Sequence, residues 1–376
     1  MTDRRKSELH KSELLRRELL IGGAASLATL SAGRALAESA PPAPIGIWSE
    51  RAPMPFPVQE IYPTRFWREP AEMTSFKPHL EGVLVNAGGL SVYEDGDFDV
   101  SDRVTIYDPI SDSWGEGPRL PEARHHIALV FHNGFLFAVG GFYADDRGIW
   151  QMQTSLWRVE SLSDRYWAPQ TSLPIPQAES VAASVGGHIH VVGGRAPAGS
   201  LNASWGDHID TDMHWAYDSG SDRWAPRAPL PTPRNSATGS VVNGLLYVIG
   251  GRTVSDGNTP VVEVYEPVSD RWQKCAPLPA SANTGAPKGQ SGLASAVWNG
   301  KIYVFGGEWQ NPTTAGVYAD VFEYDPRQDK WRAVASMPRP RHGLGAVALA
   351  DGIYVCGGAT GPSGQGTCNY LDKFEI

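Results

Sequence analysis

Five residues that could do chemistry crowd one short stretch: Asp207, His208, Asp210, Asp212 and His214 put three carboxylates and two imidazoles within eight positions. Mixed nitrogen and oxygen donors suit a divalent cation such as zinc, manganese or iron, which makes Asp207, His208, Asp210 and His214 candidate ligands. His208 and Asp210 beside an arginine suit acid–base work equally well. Solvation of a charged loop is a third account of the same residues. No cofactor is firmly implied; a divalent metal is one option.

A second set recurs along the chain. Arg195, Arg252 and Glu308 each follow a Gly-Gly doublet directly. Sixteen residues before three of the doublets stand Arg124, Arg234 and Arg341, followed by His125, Asn235 and His342, while Gln177 and Gln290 hold the same register elsewhere. Trp67, Trp150, Trp205 and Trp309 add aromatic faces suited to stacking on a sugar ring. The expected ligand is therefore small and anionic or sugar-like. Arg124, His125, Arg195, Trp205, Arg234, Asn235, Arg252, Gln290, Trp309 and Arg341 would bind it, and His208, Asp210, Glu308 and His342 would move protons. A competing account makes the arginines struts between repeats and the tryptophans plugs for long loops.

Positioning these residues requires a repeated unit. Six doublets, from Gly88-Gly89 to Gly357-Gly358, begin 51 to 57 residues apart. Each follows a β-rich run such as Leu-Leu-Tyr-Val-Ile, and each but the last precedes an aspartate-rich turn ending in Trp114, Trp167, Trp224, Trp272 or Trp331. A period of that length is one supersecondary unit repeated, since no single unit can bury its apolar faces alone. The last unit lacks its tryptophan strand, and that strand stands at the other end of the chain as Trp48-Ser-Glu-Arg-Ala-Pro-Met-Pro55. The first strand is expected to complete the last unit and so close a ring without exposed edges.

This unit (strand, Asn-Gly turn, strand, Gly-Gly, loop, Tyr-Asp-Pro strand, Ser-Asp-Arg-Trp strand) resembles the kelch repeat. The resemblance runs from Ile47 to Ile376 and implies an all-β, six-bladed kelch-type β-propeller closed by the N-terminal strand. Blade two departs, with Val159-Glu160 in place of Tyr-Asp and Tyr166 inserted before Trp167. Short a-to-b turns such as Asn133-Gly134, Gly186-Gly187, Asn243-Gly244, Asn299-Gly300 and Asp351-Gly352 share one face of such a propeller. The b-to-c loops take the insertions on the other face, which is thereby the expected functional face. Asp210 and His214 match the last two members of the iron-binding Glu-x-x-x-Asp-x-x-x-His pattern of nitrile-specifier proteins, also kelch propellers, but Gly206 stands at the first. The copper chemistry of galactose oxidase is excluded, because the chain has no Tyr-His dipeptide. By analogy of fold, the resemblance implies at most a mutarotase- or epimerase-like acid–base enzyme; its alternative is a non-catalytic binding module for a protein, peptide or glycan.

Residues 1–37 read as an export signal, with Arg16-Arg17, a mild apolar stretch and Ala35-Leu36-Ala37 before the cut, resembling the twin-arginine type. The expected domain is 38–376, periplasmic or secreted, and a monomer. Without the leader the chain keeps 25 basic and 37 acidic residues, a balance that excludes a nucleic-acid footprint. No segment reads as a membrane span. Cys275, Cys356 and Cys368 form no Cys-x-x-Cys, and Cys356 and Cys368 share a blade where an oxidising compartment would permit a bridge.

Overall fold

The computed structural model describes residues 45–67, 82–92, 97–145, 148–282, 286–311 and 313–376. The leader 1–37 lies outside them. Strands dominate, there is no α-helix among the described residues, and nothing there is long and apolar enough as a helix to cross a membrane. Six antiparallel four-stranded sheets follow one another, with strands a to d in each running outward from the axis. The sixth is assembled from both ends of the chain: Gly345–Leu349, Gly352–Cys356 and Leu371–Glu375 are completed by Ile47–Glu50. Trp48 pairs with Phe374, packs on its ring at 4.7 Å and reaches Phe305 of blade five at 6.0 Å; it is half-buried. The six-bladed propeller is thus present, with its ring closed as the displaced tryptophan predicted.

The repeat signature explains itself locally. Both residues of Asn133-Gly134, Gly186-Gly187, Asn243-Gly244 and Asn299-Gly300 have positive φ, as two-residue hairpins of the twisted sheet require. Blade six differs from the expected turn: Leu349 pairs with Gly352, so Ala350-Asp351 form the loop. Tyr107, Tyr217, Tyr265 and Tyr324 donate their hydroxyls to Asp112, Asp222, Asp270 and Asp329. Those carboxylates also accept an amide of the preceding outer strand, from Ala52, Thr171, Ala228 and Ala276 respectively. The repeat tryptophans donate their indole N–H to the same neighbouring segments, as Trp272 does to the Ala228 carbonyl at 2.9 Å. Blade two, lacking the tyrosine, turns its Asp164 inward to the amides of Glu160 and Ser161.

The doublets fasten blade to blade. The second glycine of five doublets donates its amide to the next blade: Gly89 to Arg124, Gly194 to Arg234, Gly251 to Gln290, Gly307 to Arg341, and Gly358 round the closure to Val58. Positive φ at both glycines makes the approach possible, and a Cβ on Gly306 would stand 2.2 Å from the Arg341 carbonyl oxygen. Beyond the doublets, blades one to five each carry a two-stranded ribbon on the loop face, for example Arg195–Pro197 with His208–Asp210. Side chains stitch these ribbons laterally. Asn202 bonds Met152 of blade two, Asp210 accepts from the Val254 amide of blade four, Asn258 donates to the Glu308 carbonyl, and Ser363 of blade six donates its amide to the Glu308 carboxylate. The result is a crown over the propeller.

Candidate functional site

Two residues beyond the arginine register, the chain of every blade turns in at the axis through a left-handed residue. Glu60, His126, Glu179, Ser236, Gly292 and Gly343 all have φ between 50 and 59°. Their backbones bond around the axis: Glu60 N–H to Gly343, Gly343 to Gly292, Gly292 to Ser236, Ser236 to Glu179, and His126 to Glu60. This collar carries four polar side chains where pseudo-sixfold geometry brings them together. Non-glycine residues rarely hold such angles, and where they do the surroundings must enforce them.

On the collar, His126 Nε2 lies 2.8 Å from Glu60 and 3.5 Å from Glu179. Ser236 donates to Glu179 at 3.0 Å. Arg252 reaches down from the crown to Glu308 at 2.8 Å and Glu179 at 3.7 Å, and its Nε donates to the Asn235 side-chain oxygen. His342 stands 3.5 Å from Glu60 and 3.6 Å from Glu308. Burial alone would raise the Glu60 carboxyl, but the imidazoles of His126 and His342 overcome it and hold the group well below the ordinary carboxylate range. Burial opposes the His342 charge as well, yet Glu60 and Glu308 raise its pKa above the ordinary value. Arg252 is likewise raised, as Glu179, Glu308 and Glu60 outweigh its burial. His125 goes the other way, pushed down to about 3 by burial and by His126, whose Nδ1 it meets at 2.7 Å.

Among the residues read from sequence, Arg252, Glu308, His342 and Asn235 come together here. Arg195 and Trp205 stand beside them: the Arg195 guanidinium is buried 3.4 Å from the indole centroid and donates to the Trp205 carbonyl, while Arg252 approaches the same ring at 5.5 Å. The two arginines therefore share an aromatic ring, and the acids Glu308 and Glu179 attend Arg252. Trp150 packs edge-on against Trp205 at 4.8 Å.

The structure places others elsewhere. Arg234 and Arg341 are sealed inside their own blades in one identical pattern. Arg234 donates to the carbonyls of Gly250, Val248 and Thr232 and pairs with Glu263 at 2.6 Å; Arg341 donates to Gly357, Val355 and Arg339 and pairs with Asp372 at 2.9 Å. Arg124 is equally enclosed, against Glu122, the Ser155 hydroxyl and the Trp157 ring. The bonded donors of Arg234 and Arg341 point into their own blades, so neither of these two guanidiniums faces a ligand on the loop face. Gln290 is buried in the same register, and His125 Nε2–H donates to the Ile149 carbonyl beside Trp150. Trp309 is covered by the crown and packs on Tyr318 at 4.8 Å; Trp67 is half-buried at the end of Thr64–Phe66.

The four candidate metal ligands diverge. Asp207 accepts the amides of Ala203 and Ser204 within its own turn. His208 is buried against Phe142, pushed down to about 4 by that burial and by Arg195. Asp210 joins Asn235 and Val254, and His214 sits inside blade three between His190 and the Ala228 carbonyl. Among the described residues no three His, Cys, Asp or Glu side chains are arranged to hold a metal ion. Short-range composition could count these donors but could not tell that successive side chains leave the backbone in opposite directions. Cys356 and Cys368 stand as separate buried thiols.

Sequence reasoning missed Glu60, His126, Glu179 and Ser236. The signal was present: Gly292 and Gly343 occupy the same register in two other blades, which marks a position needing positive φ at the axis. Glu60 was further concealed by the insertion before the first doublet.

Cavities along the axis adjoin the collar. One of about 100 Å³ is lined by residues such as Tyr62, Pro63, Ala128, Gly239 and Ala346, and a second of about 320 Å³ by others including Arg65, Phe131, Ser184 and Val297. A third touches His126 and Gln177 but holds only about 10 Å³, no more than one water requires.

Comparison with known proteins agrees with this architecture. The KLHDC2/KLHL20/DRC7 kelch-repeats domain model matches residues 207–374. Kelch-like protein terF of Aspergillus terreus is 26% identical over 273 residues, 72% of this chain and 57% of that protein. Kelch-like protein 15 of Danio rerio is 28% identical over 65% of this chain and 40% of its own length; Kelch-like protein 23 of Homo sapiens is 28% identical over 73% and 43%. The chain thus spans about half the length of the curated relatives it matches. The solved structure of YjhT, 14% identical, superposes with a TM-score of 0.66 over 87% of this chain and 100% of that one, a likeness of fold. The molecule is a six-bladed β-propeller whose residues 207–374 are similar to a kelch-repeats domain.

Proposed function

We propose that this propeller is a non-catalytic binding module that receives a polypeptide segment on its crown. The observation that carries this reading is the separation of charge from cavity. Two cavities along the axis are lined by residues such as Tyr62, Arg65, Ser184, Gly239 and Ser295, whereas Glu60, His126, Glu179, Glu308 and His342 line neither of them. An acid–base enzyme needs its titrating groups in the concave pocket that holds the substrate. Here those groups are instead bonded to one another, which suits a stiff platform for a partner. The kelch-like relatives support the same reading by likeness of the repeat.

A direct test is hydrogen exchange of the full chain with and without a mixed dodecapeptide library, beside a proton NMR assay for interconversion of small sugar acids. Protection confined to crown residues, without catalysed interconversion, is the expected result. Interconversion faster than in buffer, lost in His342→Gln or Glu60→Gln, would overturn the module reading in favour of an enzyme.

A further inference from the structure

Five of the six blade junctions are fastened at their inner ends by the same two backbone bonds, and one is not. In those five, the second glycine of the doublet donates to the next blade, and the collar amide of that blade donates back to the collar carbonyl of the one before. Between blades two and three neither bond is present: Gly141 makes none to Gln177, and Glu179 makes none to His126. The backbones there are not deranged, since Gly141 and Glu179 hold positive φ like their counterparts. The blades themselves stand apart. A gap of about 10 Å³ lies between them, walled by His126 and Gly141 of blade two and by Gln177, Ala178 and Ser180 of blade three. Gln177 Oε1 is buried without a hydrogen-bond partner, and Glu179 meets His126 only at 3.5 Å, whereas His126 meets Glu60 at 2.8 Å. Buried backbone amides are nearly always paired, so two unpaired ones on a single seam mark where least holds the ring together. The junction where the chain ends meet is not that place, because Gly358 to Val58 and Glu60 to Gly343 are both intact at 2.8 and 2.7 Å.

Blades two and three are nevertheless held, from other directions. At the outer edge Asp222 accepts the Thr171 amide at 2.9 Å and Trp224 donates to the Thr171 carbonyl at 2.8 Å. Across the crown, Asn202 of blade three binds both the amide and the carbonyl of Met152 of blade two, at 3.1 and 2.9 Å. Beside it His125 and His208, one from each blade, both stack on Phe142, and Trp150 packs on Trp205. The gap also shares Ala128, Ser180 and Ala182 with the axial cavity of about 100 Å³. We propose that this junction is a gate: its inner end parts while its outer edge stays hinged, and the parting joins the axial cavity to the collar. The crown clasp of Asn202 and the aromatic stack sets how often it opens, since it replaces the backbone bonds that close every other junction. A passage that begins from a gap the size of one water admits water and small solutes, not a polypeptide.

The experiment joins site-resolved amide hydrogen exchange to thiol labelling, both on the full chain. Gly141 and Glu179 should exchange at least ~tenfold faster than Gly251 and Gly292, their bonded counterparts between blades four and five. Ala178→Cys in the gap, and Ser291→Cys at the same register of blade five, place a thiol at each junction; both parent residues are buried. Iodoacetamide, read by peptide mapping to separate the native cysteines, should label the first at least ~tenfold faster than the second. Asn202→Ala should speed labelling of Ala178→Cys by roughly tenfold more and leave Ser291→Cys unchanged. Should a cysteine variant fail to fold, exchange at Gly141 and Glu179 with and without Asn202→Ala carries the same comparison. Equal rates at the two junctions would overturn the gate. Fast amide exchange with equally slow labelling of both thiols would also overturn it, because two unbonded amides would then sit in a seam that never parts. Asn202→Ala speeding both junctions alike would mean general loosening and no clasp.

Discussion

Arg234 and Arg252 belong to the same blade and meet opposite surroundings. Arg234 is enclosed by three backbone carbonyls and one carboxylate, with no exposed surface on either member of the pair. Arg252 keeps a quarter of its side chain in solvent, and its carboxylate partners, Glu179 and Glu308, come from other blades. Carbonyl oxygens belong to the fold and cannot be released without unfolding it. Side-chain carboxylates can exchange partners with a ligand. The difference separates a strut from a site residue more reliably than residue type, burial or register taken singly.

The largest effect comes from removing what both arginines depend on. Deleting residues 46–55 removes the strand Ile47–Glu50, bares the outer edge of Leu371–Glu375 and strips the amide of Ala52 from Asp112. The exposed edge of blade six then invites aggregation. Cooperative thermal unfolding should disappear and light scattering should rise; a deletion variant that melts like the parent would show that the ring does not need its closure.

Next come the arginines themselves. Arg234→Ala leaves Glu263 buried without its counter-charge, a loss of roughly 3–5 kcal/mol. Arg252→Ala removes charge-assisted bonds at a partly solvated site, roughly 1–2 kcal/mol. Urea unfolding of the two variants should therefore separate them clearly. Equal losses would erase the distinction between strut and site drawn above.

That distinction also measures how far the sequence could be read. Blades, doublets and ring closure were legible because their determinants are local and repeated: a Tyr-Asp pair, a tryptophan seven residues on, two glycines at a blade junction. The collar was half legible. Arg252, Glu308 and His342 stand in register with the doublets and were found by that register. Glu60, His126 and Glu179 were not, since nothing in glutamate or histidine as a residue type announces a left-handed backbone. Arg234 and Arg341 were expected to bind a ligand, but each guanidinium is held within its own blade by backbone carbonyls and by the acids Glu263 and Asp372, a direction that spacing does not give. The loop 207–214 misled for a similar reason, because a count of donors carries no direction.

pH offers a finer probe of the collar. Glu60 is depressed below its ordinary 4.5, so its contribution to stability is present above that value and lost as pH falls through the folded pKa. His342 is raised above its ordinary 6.5, so its contribution is complete below that value and lost as pH rises through the folded pKa. The two overlap between these ordinary values. The melting-temperature gap between the parent and His342→Gln should be widest near about pH 5.5 and narrow steadily above neutrality. The gap for Glu60→Gln should instead hold above that pH and close only in acid. A His342→Gln gap that grows with pH would mean that the imidazole is neutral in the fold and that its carboxylate neighbours are satisfied by others.

Arg195 is the smallest test, because it has features of both classes. It is as buried as Arg234, yet its guanidinium lies on a tryptophan that is itself partly in solvent, and its one hydrogen-bonded carbonyl, that of Trp205, belongs to a crown loop. Burial lowers its pKa, whereas the acids Glu179 and Asp210 support its charge. If the indole face is a working part of its environment, Arg195→Lys and Trp205→Leu should be non-additive, with a coupling of roughly 0.5–2 kcal/mol in a double-mutant cycle of urea unfolding. Lysine keeps the charge but loses the flat face that stacks on the ring. Additive losses would mean that Arg195 is held by packing alone and belongs with the struts. A positive coupling would place it with Arg252, since the same indole ring would then link the stability of the crown to the surface that Trp205 presents.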